Sequence, residues 1–155
     1  MKKTILIISL SLVIFSCKKE NPPKASNPSL ADLITNKKWL LTEYTVSPPL
    51  FNISDIYKEL DSCNKDEIKI FQKNGILKYD FGTIKCDPNE ERYDTTTTWK
   101  LRGDSMFNKY QVDASTVLYD TLYGLKADNN SLSYFFKRKT RANTQIYFRK
   151  YIKKD

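Results

Sequence analysis

Residues 63–86, CNKDEIKIFQKNGILKYDFGTIKC, carry the pattern that decides the fold. Ile68, Ile70 and Phe71 form one apolar run, Asn74-Gly75 interrupts it, and Ile76, Leu77, Tyr79 and Phe81 form a second. Two short runs rich in β-branched and aromatic residues around Asn-Gly read as a β-hairpin, and Asn-Gly suits a two-residue type I′ loop. The ends of a hairpin lie close together, so Cys63 and Cys86 are placed to meet across its open end as a disulfide. Closing a loop of that size stabilises a fold by ~3 kcal/mol through lost chain entropy. A metal site would need more ligands, and the chain has no histidine.

Outward from the hairpin, the remaining chain reads as further strands. Trp39 to Val46 is aromatic and β-branched and ends at Pro48-Pro49. Thr95 to Leu101 carries Trp99, and Arg102-Gly103-Asp104 turns it into a segment around Met106-Phe107. Val117 to Leu125 sets Val117, Tyr119, Thr121, Tyr123 and Leu125 on one face, Asn129-Asn130 marks a turn, and Leu132 to Arg138 and Thr144 to Ile152 follow. Seven or eight short strands at near-regular spacing argue for an all-β sandwich or barrel. Helix is scarce: Leu30 to Asn36 before the first strand, and Ile53 to Leu60 after Pro49, both as short caps.

The amino terminus follows a different rule. Lys2 and Lys3 precede an apolar run from Ile5 to Phe15, too short to span a bilayer and suited to a secretory signal. Its end, Ile14-Phe15-Ser16-Cys17, resembles the lipobox of bacterial lipoproteins. The resemblance implies that residues 1–16 are a signal peptide, that Cys17 carries the lipid after cleavage, and that the new amino terminus is acylated too. Residues 17–29 hold Pro22, Pro23 and Pro28 among polar side chains, a tether that cannot bury enough surface to fold. Extended by proline, it holds a domain up to ~35 Å from a membrane. Lys18 stands where an aspartate would retain the protein in the inner membrane, so the expected place is the outer membrane, facing periplasm or cell surface.

Within residues 30–155 a second resemblance follows the hairpin. Cys63, Lys65-Asp66-Glu67, Phe71, Asn74-Gly75, Gly82 and Cys86-Asp87-Pro88, followed by Trp99, are similar to the lipocalin-like lipoproteins of the Bacteroides group. Asn36-Lys37-Lys38-Trp39 stands where that family has its first-strand tryptophan after a short helix. The resemblance implies an up-and-down antiparallel β-barrel of about eight strands with one or two short helices. Transport lipocalins carry glycine where Lys37 stands and a later Thr-Asp-x-x-Tyr motif that this chain lacks, so their transport role is not inherited.

Composition narrows the function. Losing Lys2 and Lys3 with the signal takes the formal charge from +8 to +6, spread along the chain and thickening from Lys137 to Lys154. No nucleic-acid-binding motif accompanies it, so no nucleic acid is expected as a partner. Without histidine, the most usual general base and every triad built on it are missing. Asp61, Asp66, Glu67, Asp87, Glu90 and Glu91 could serve a carboxylate hydrolase, but all sit near turns with no spacing that implies a shared cleft. Asp87 to Glu91 lacks the glycine and distant glutamate of a calcium loop. No enzyme, metal or cofactor is expected.

The aromatic load, with 10 Tyr and 8 Phe, leaves binding. Tyr119, Tyr123, Tyr134 and Tyr147 are candidates for a cavity wall, since tyrosine offers an apolar face with a hydrogen-bonding tip. Arg138 and Arg149 are candidates to meet a ligand carboxylate. The expectation is a monomeric, outer-membrane-anchored lipoprotein binding a small apolar or amphipathic ligand in or at the barrel mouth. The alternative is a scaffold lipoprotein with a filled barrel, joining an envelope protein through its outer face.

Overall fold

The computed structural model describes residues 27–155 apart from 90, 114 and 142. Cys17, the signal and residues 17–26 of the tether lie outside the described residues. In chain order the elements are α1 (Leu30–Ile34), β1 (Lys38–Leu50), β2 (Ile53–Asp55), α2 (Ile56–Glu59), α3 (Ser62–Lys65), β3 (Ile68–Phe71), β4 (Ile76–Asp80), β5 (Tyr93–Arg102), β6 (Ser105–Gln111), β7 (Val117–Ala127), β8 (Ser131–Lys139) and β9 (Thr144–Lys154). Eight of the strands form a closed antiparallel barrel in the order β1-β3-β4-β5-β6-β7-β8-β9, shut by β1 against β9. Closure removes the sheet edges that would otherwise invite pairing with another chain. The ninth strand, β2, folds back on β1.

The shutting seam is long on one side and short on the other. β1 pairs with β9 from Lys38↔Lys154 to Ser47↔Ile146, with one irregularity between Leu41 and Glu43. Against β3 it pairs only through Lys38, Trp39 and Leu40. Beyond Leu40 the two strands part, and β1 takes β2 instead, at Thr45↔Asp55 and Leu50↔Ile53. β1 therefore runs through Pro48-Pro49, where the sequence suggested it would stop. The prolines lack the N–H a ladder needs, and they fall in the gap between those two pairs, where the register is already broken.

The central hairpin forms as expected, with a different turn. Gln72 to Gly75 lie between β3 and β4, and the Gly75 amide donates to the Gln72 carbonyl at 3.0 Å while the Gln72 amide donates to Ile76 at 2.8 Å. Gly75 has φ +84° and Asn74 is not among the residues with positive φ, which excludes the two-residue type I′ loop. The connection is a type I turn closed by a glycine bulge, the next most common hairpin solution. It also spares Gly75 its carbonyl, which accepts the Trp99 amide at 2.7 Å and ties the turn to β5.

The helices are shorter than the sequence suggested. α1 stops at Ile34 and is capped by Ser29 and Asp32 in a reciprocal box. Asn36, at φ 55°, turns the chain and donates its amide to the Phe71 carbonyl at 2.8 Å. The expected helix over Ile53 to Leu60 splits into β2 and α2, because Ile53 pairs with Leu50 before Asp55 caps the helix.

One end of the barrel is solid. Ile34, Trp39, Phe71, Leu77, Met106, Leu132 and Tyr151 are fully buried there. Trp39 donates its indole N–H to the Ile34 carbonyl at 2.9 Å, so α1 is fastened to the plug it covers. Burying each such side chain contributes ~1.5–3 kcal/mol, which makes this end the anchor of the fold.

Candidate functional site

Above the plug the barrel interior changes from apolar to polar. Inward positions along β3, β5, β6, β8 and β9 bring Lys69, Thr97, Asn108, Tyr134 and Arg149 to a cavity of about 290 Å³, with Phe81, Tyr110, Leu122 and Phe136 supplying apolar wall. At its floor Tyr134 rests on Tyr151 of the plug: the two hydroxyls stand 2.7 Å apart with their rings stacked at 5.6 Å. Burial pushes both phenols above their ordinary range, so both stay protonated at neutral pH.

Two cations stand over that floor. Lys69 lies between its ladder partners Trp39 and Tyr79 and is buried, its ammonium 5.0 Å from the Tyr79 ring and 5.5 Å from the Tyr151 ring. Its nearest carboxylate is Glu67, at 3.9 Å. Desolvation and the nearby Arg149 charge oppose its charge, and Tyr134, Tyr79 and Glu67 together hold the amine above its ordinary value. Arg149 sits between its ladder partners Tyr44 and Tyr134. Its guanidinium carbon lies 4.2 Å from the Tyr44 ring centroid and 5.2 Å from that of Phe136. Cation–π contact of this kind compensates part of the lost hydration. Burial works against the Arg149 charge too, and the surrounding phenols Tyr151, Tyr134 and Tyr44 hold it well above its ordinary value.

Arg149 has no carboxylate within ion-pair distance among the described residues. Its Nε is buried and without a hydrogen-bond partner, and so is the side-chain oxygen of Asn108 on the same cavity wall. The other charges are engaged. Arg138, at the rim, pairs with Asp120 at 3.0 Å, and Asp94 accepts the Thr96 amide at 2.7 Å. A smaller lateral cavity of about 230 Å³ lies beside β1, lined by Leu60 and Asn64 near the α2–α3 segment, and it shares Lys69 and Arg149 with the main one. Both cations thus face two spaces.

Of the residues singled out from sequence, Tyr134, Arg138 and Arg149 meet at the main cavity. Tyr147 is inside the barrel but packed, 4.9 Å from the Phe136 ring with its hydroxyl donating to Gln145 at 2.9 Å. Tyr119 and Tyr123 are not on the cavity wall. Tyr119 is 72% exposed, and Tyr123 stacks on Phe135 at 5.7 Å on the outer face. The shared face of Val117, Tyr119, Thr121 and Tyr123 points outward because Asp120 and Leu122, the alternate set, fill the interior. Leu125 is buried, and between Tyr123 and Lys126 the register with β8 shifts.

Lys69 is the residue that sequence reasoning missed. Flanked by Ile68 and Ile70, it reads as the outward member of an apolar strand. In the barrel Lys69 and Phe71 face inward and are buried.

Cys63 and Cys86 form the disulfide, with Cα atoms 5.4 Å apart. It joins α3 to the 81–92 loop. Asp66 reinforces that junction by accepting the Thr83 amide at 2.8 Å and the Ile84 amide at 3.1 Å. The Lys65-Asp66-Glu67 segment is therefore divided by role, with Asp66 on the loop and Glu67 on the cavity. Among the described residues no cluster of three or more His, Cys, Asp or Glu could hold a metal ion, and no helix is long and apolar enough to cross a membrane.

Comparison with family models, with curated proteins and with solved structures found no match for this chain.

Proposed function

We propose that this protein is a membrane-anchored binding protein that holds a small amphipathic ligand in the open half of its barrel and transforms nothing. The observation that carries the reading is the contrast between the two ends of one interior: a plug of fully buried Trp39, Phe71, Leu77 and Met106 below, and a cavity of about 290 Å³ above. A closed barrel with a half-filled interior offers a concave, largely preformed site with a few polar groups. The lipobox-like Ile14-Phe15-Ser16-Cys17 supports anchoring through acylated Cys17, with the outer membrane as the expected place.

The test is fluorescence titration of the full chain with N-phenyl-1-naphthylamine, a neutral environment-sensitive probe. One probe per chain is expected, and Thr96→Trp, which plugs the cavity mouth, should abolish the signal. Enhancement that survives the plug would place the probe outside the barrel and overturn the reading.

A second reading has its own observation. The outer face exposes Tyr119, beside Phe107 in a shallow groove. That surface favours an envelope-protein partner, the role of a scaffold lipoprotein.

A further inference from the structure

The geometry points to an anion as the ligand's polar group: we infer that the barrel cavity takes a short amphipathic carboxylate, its oxygens on the Arg149 guanidinium and Lys69 Nζ and its apolar body toward Phe136 and Leu122. This rests on the reading that the barrel interior is a binding site and adds the class of ligand.

The argument starts from an unmet need. A buried guanidinium N–H without an acceptor is costly to keep, and native structures seldom leave one. Arg149 Nε is such a group, and no carboxylate of the described residues lies within ion-pair distance of this side chain. Stacking on Tyr44, at 4.2 Å, covers one face of the guanidinium, and its hydrogen-bonding neighbours are the Tyr44 and Tyr151 hydroxyls, which bring no negative charge to balance it. The second cation at the same cavity is barely compensated, since Glu67 is 3.9 Å from Lys69. An oxyanion supplies acceptors to both, and charge-assisted bonds in a site shielded from water are the strong ones.

A cationic ligand meets no comparable welcome. Of the three carboxylates on this wall, Asp120 is held by Arg138 at 3.0 Å, Asp94 caps Thr96 at 2.7 Å, and Glu67 faces the Lys69 ammonium at 3.9 Å. The Tyr134 and Tyr151 phenols below share one hydrogen bond, which leaves one O–H of the pair to donate to an anion. Asn108, on β6 and three strands around the wall from β9, is the polar residue that faces the two cations across the cavity.

The experiment compares octanoate with octan-1-ol, which share a chain and differ in the charged end, on the ¹⁵N-labelled full chain by NMR. Octanoate should move the Arg149 Nε–Hε resonance and bind at least about tenfold more tightly than the alcohol, the ratio one charge-assisted hydrogen bond supports. Arg149→Met should erase the preference. Equal binding of acid and alcohol inside the barrel overturns the anion inference and leaves the barrel reading standing. Failure of both to perturb cavity resonances overturns the two together. Octanoate shifts confined to the outer residues Lys100 and Lys109 overturn the inference as well, and the wild-type comparison decides even if the variant does not fold.

Discussion

The Asp66 carboxylate occupies the place that a Cβ on Gly82 would take. Gly82 has φ +77°, and Asp66 comes close enough to accept the amides of Thr83 and Ile84 only because nothing projects from residue 82. Two residues of the hairpin pattern, one on each side of it, thus form a single clamp on the loop that also carries Cys86.

Gly82→Ala should therefore cost about 2–4 kcal/mol, combining left-handed backbone strain with overlap. Asp66→Ala should cost about 0.5–1.5 kcal/mol for each amide bond lost, since both donors are exposed and water replaces the carboxylate. The double variant should lose less than the sum, since both act on one contact. Urea denaturation of the three variants checks this, and a Gly82→Ala protein as stable as wild type would refute the clamp.

Reduction of Cys63–Cys86 should lower stability by about 3 kcal/mol, given the loop it closes, whose sequence separation is 23. Thermal unfolding with and without reductant measures it. Because the bond joins α3 to the 81–92 loop, amide exchange should rise first in those two segments and last around Trp39.

Trp39→Phe should destabilise by about 1–3 kcal/mol, the cost of leaving a buried acceptor unmet, since Ile34 loses the indole N–H that bonds it at 2.9 Å. Trp39→Ala should cost about 3–5 kcal/mol, with cavity formation added. Denaturant midpoints separate the two.

Alkaline pH should unfold the barrel before acid does. The Lys69 amine is held above its ordinary value against desolvation by the surrounding Tyr134, Tyr79 and Glu67 oxygens; its contribution is complete below the unfolded value of about 10.5 and is lost as pH rises through the folded one. Tyr134 and Tyr151 are raised by burial. Above pH ~10 the unfolded phenols release protons that the folded ones keep, so stability falls with the same sign. At the acid end Asp113, lowered to about 2 by the Ser115 and Thr116 donors, contributes above its ordinary 3.8 and loses that as pH falls toward 2. Absorbance at 295 nm should show late-titrating phenols ionising together with loss of the fold. Their smooth titration in the native state would contradict the buried pair.

Cys17→Ser should release the protein from the membrane fraction, because a lipid-modified cysteine is the proposed anchor. Fractionation of cells carrying each version checks this. A Cys17→Ser protein that still sediments with membranes would point to an uncleaved apolar segment, Ile5 to Phe15, as the anchor.

Much of the fold could be read without coordinates. Alternating strands, the Asn74-Gly75 turn and the paired Cys63 and Cys86 are local features, and each is visible in a window of a few residues. The turn type was misread for a reason that is not local. Asn-Gly is compatible with two hairpin loops, and the bond from Trp99 on β5 to the Gly75 carbonyl belongs to the one adopted. The extension of β1 through Pro48-Pro49 likewise depends on β2 and β9 bracketing the prolines.

The site was legible only in part. Tyr134, Arg138 and Arg149 share a face at even spacing on strands whose inward side the aromatics mark. Tyr119 and Tyr123 share a face just as evenly, and nothing within β7 says which face is inside. Residue type and period determine that a strand has two faces, the elements it is built from, and the bridge that closes the hairpin. Which face looks inward is a property of the closed barrel, because it depends on the neighbours each face meets. Closure alone turned Lys69 away from water, put it over the phenol pair beside Arg149, and left a guanidinium N–H waiting for an acceptor that no described residue provides.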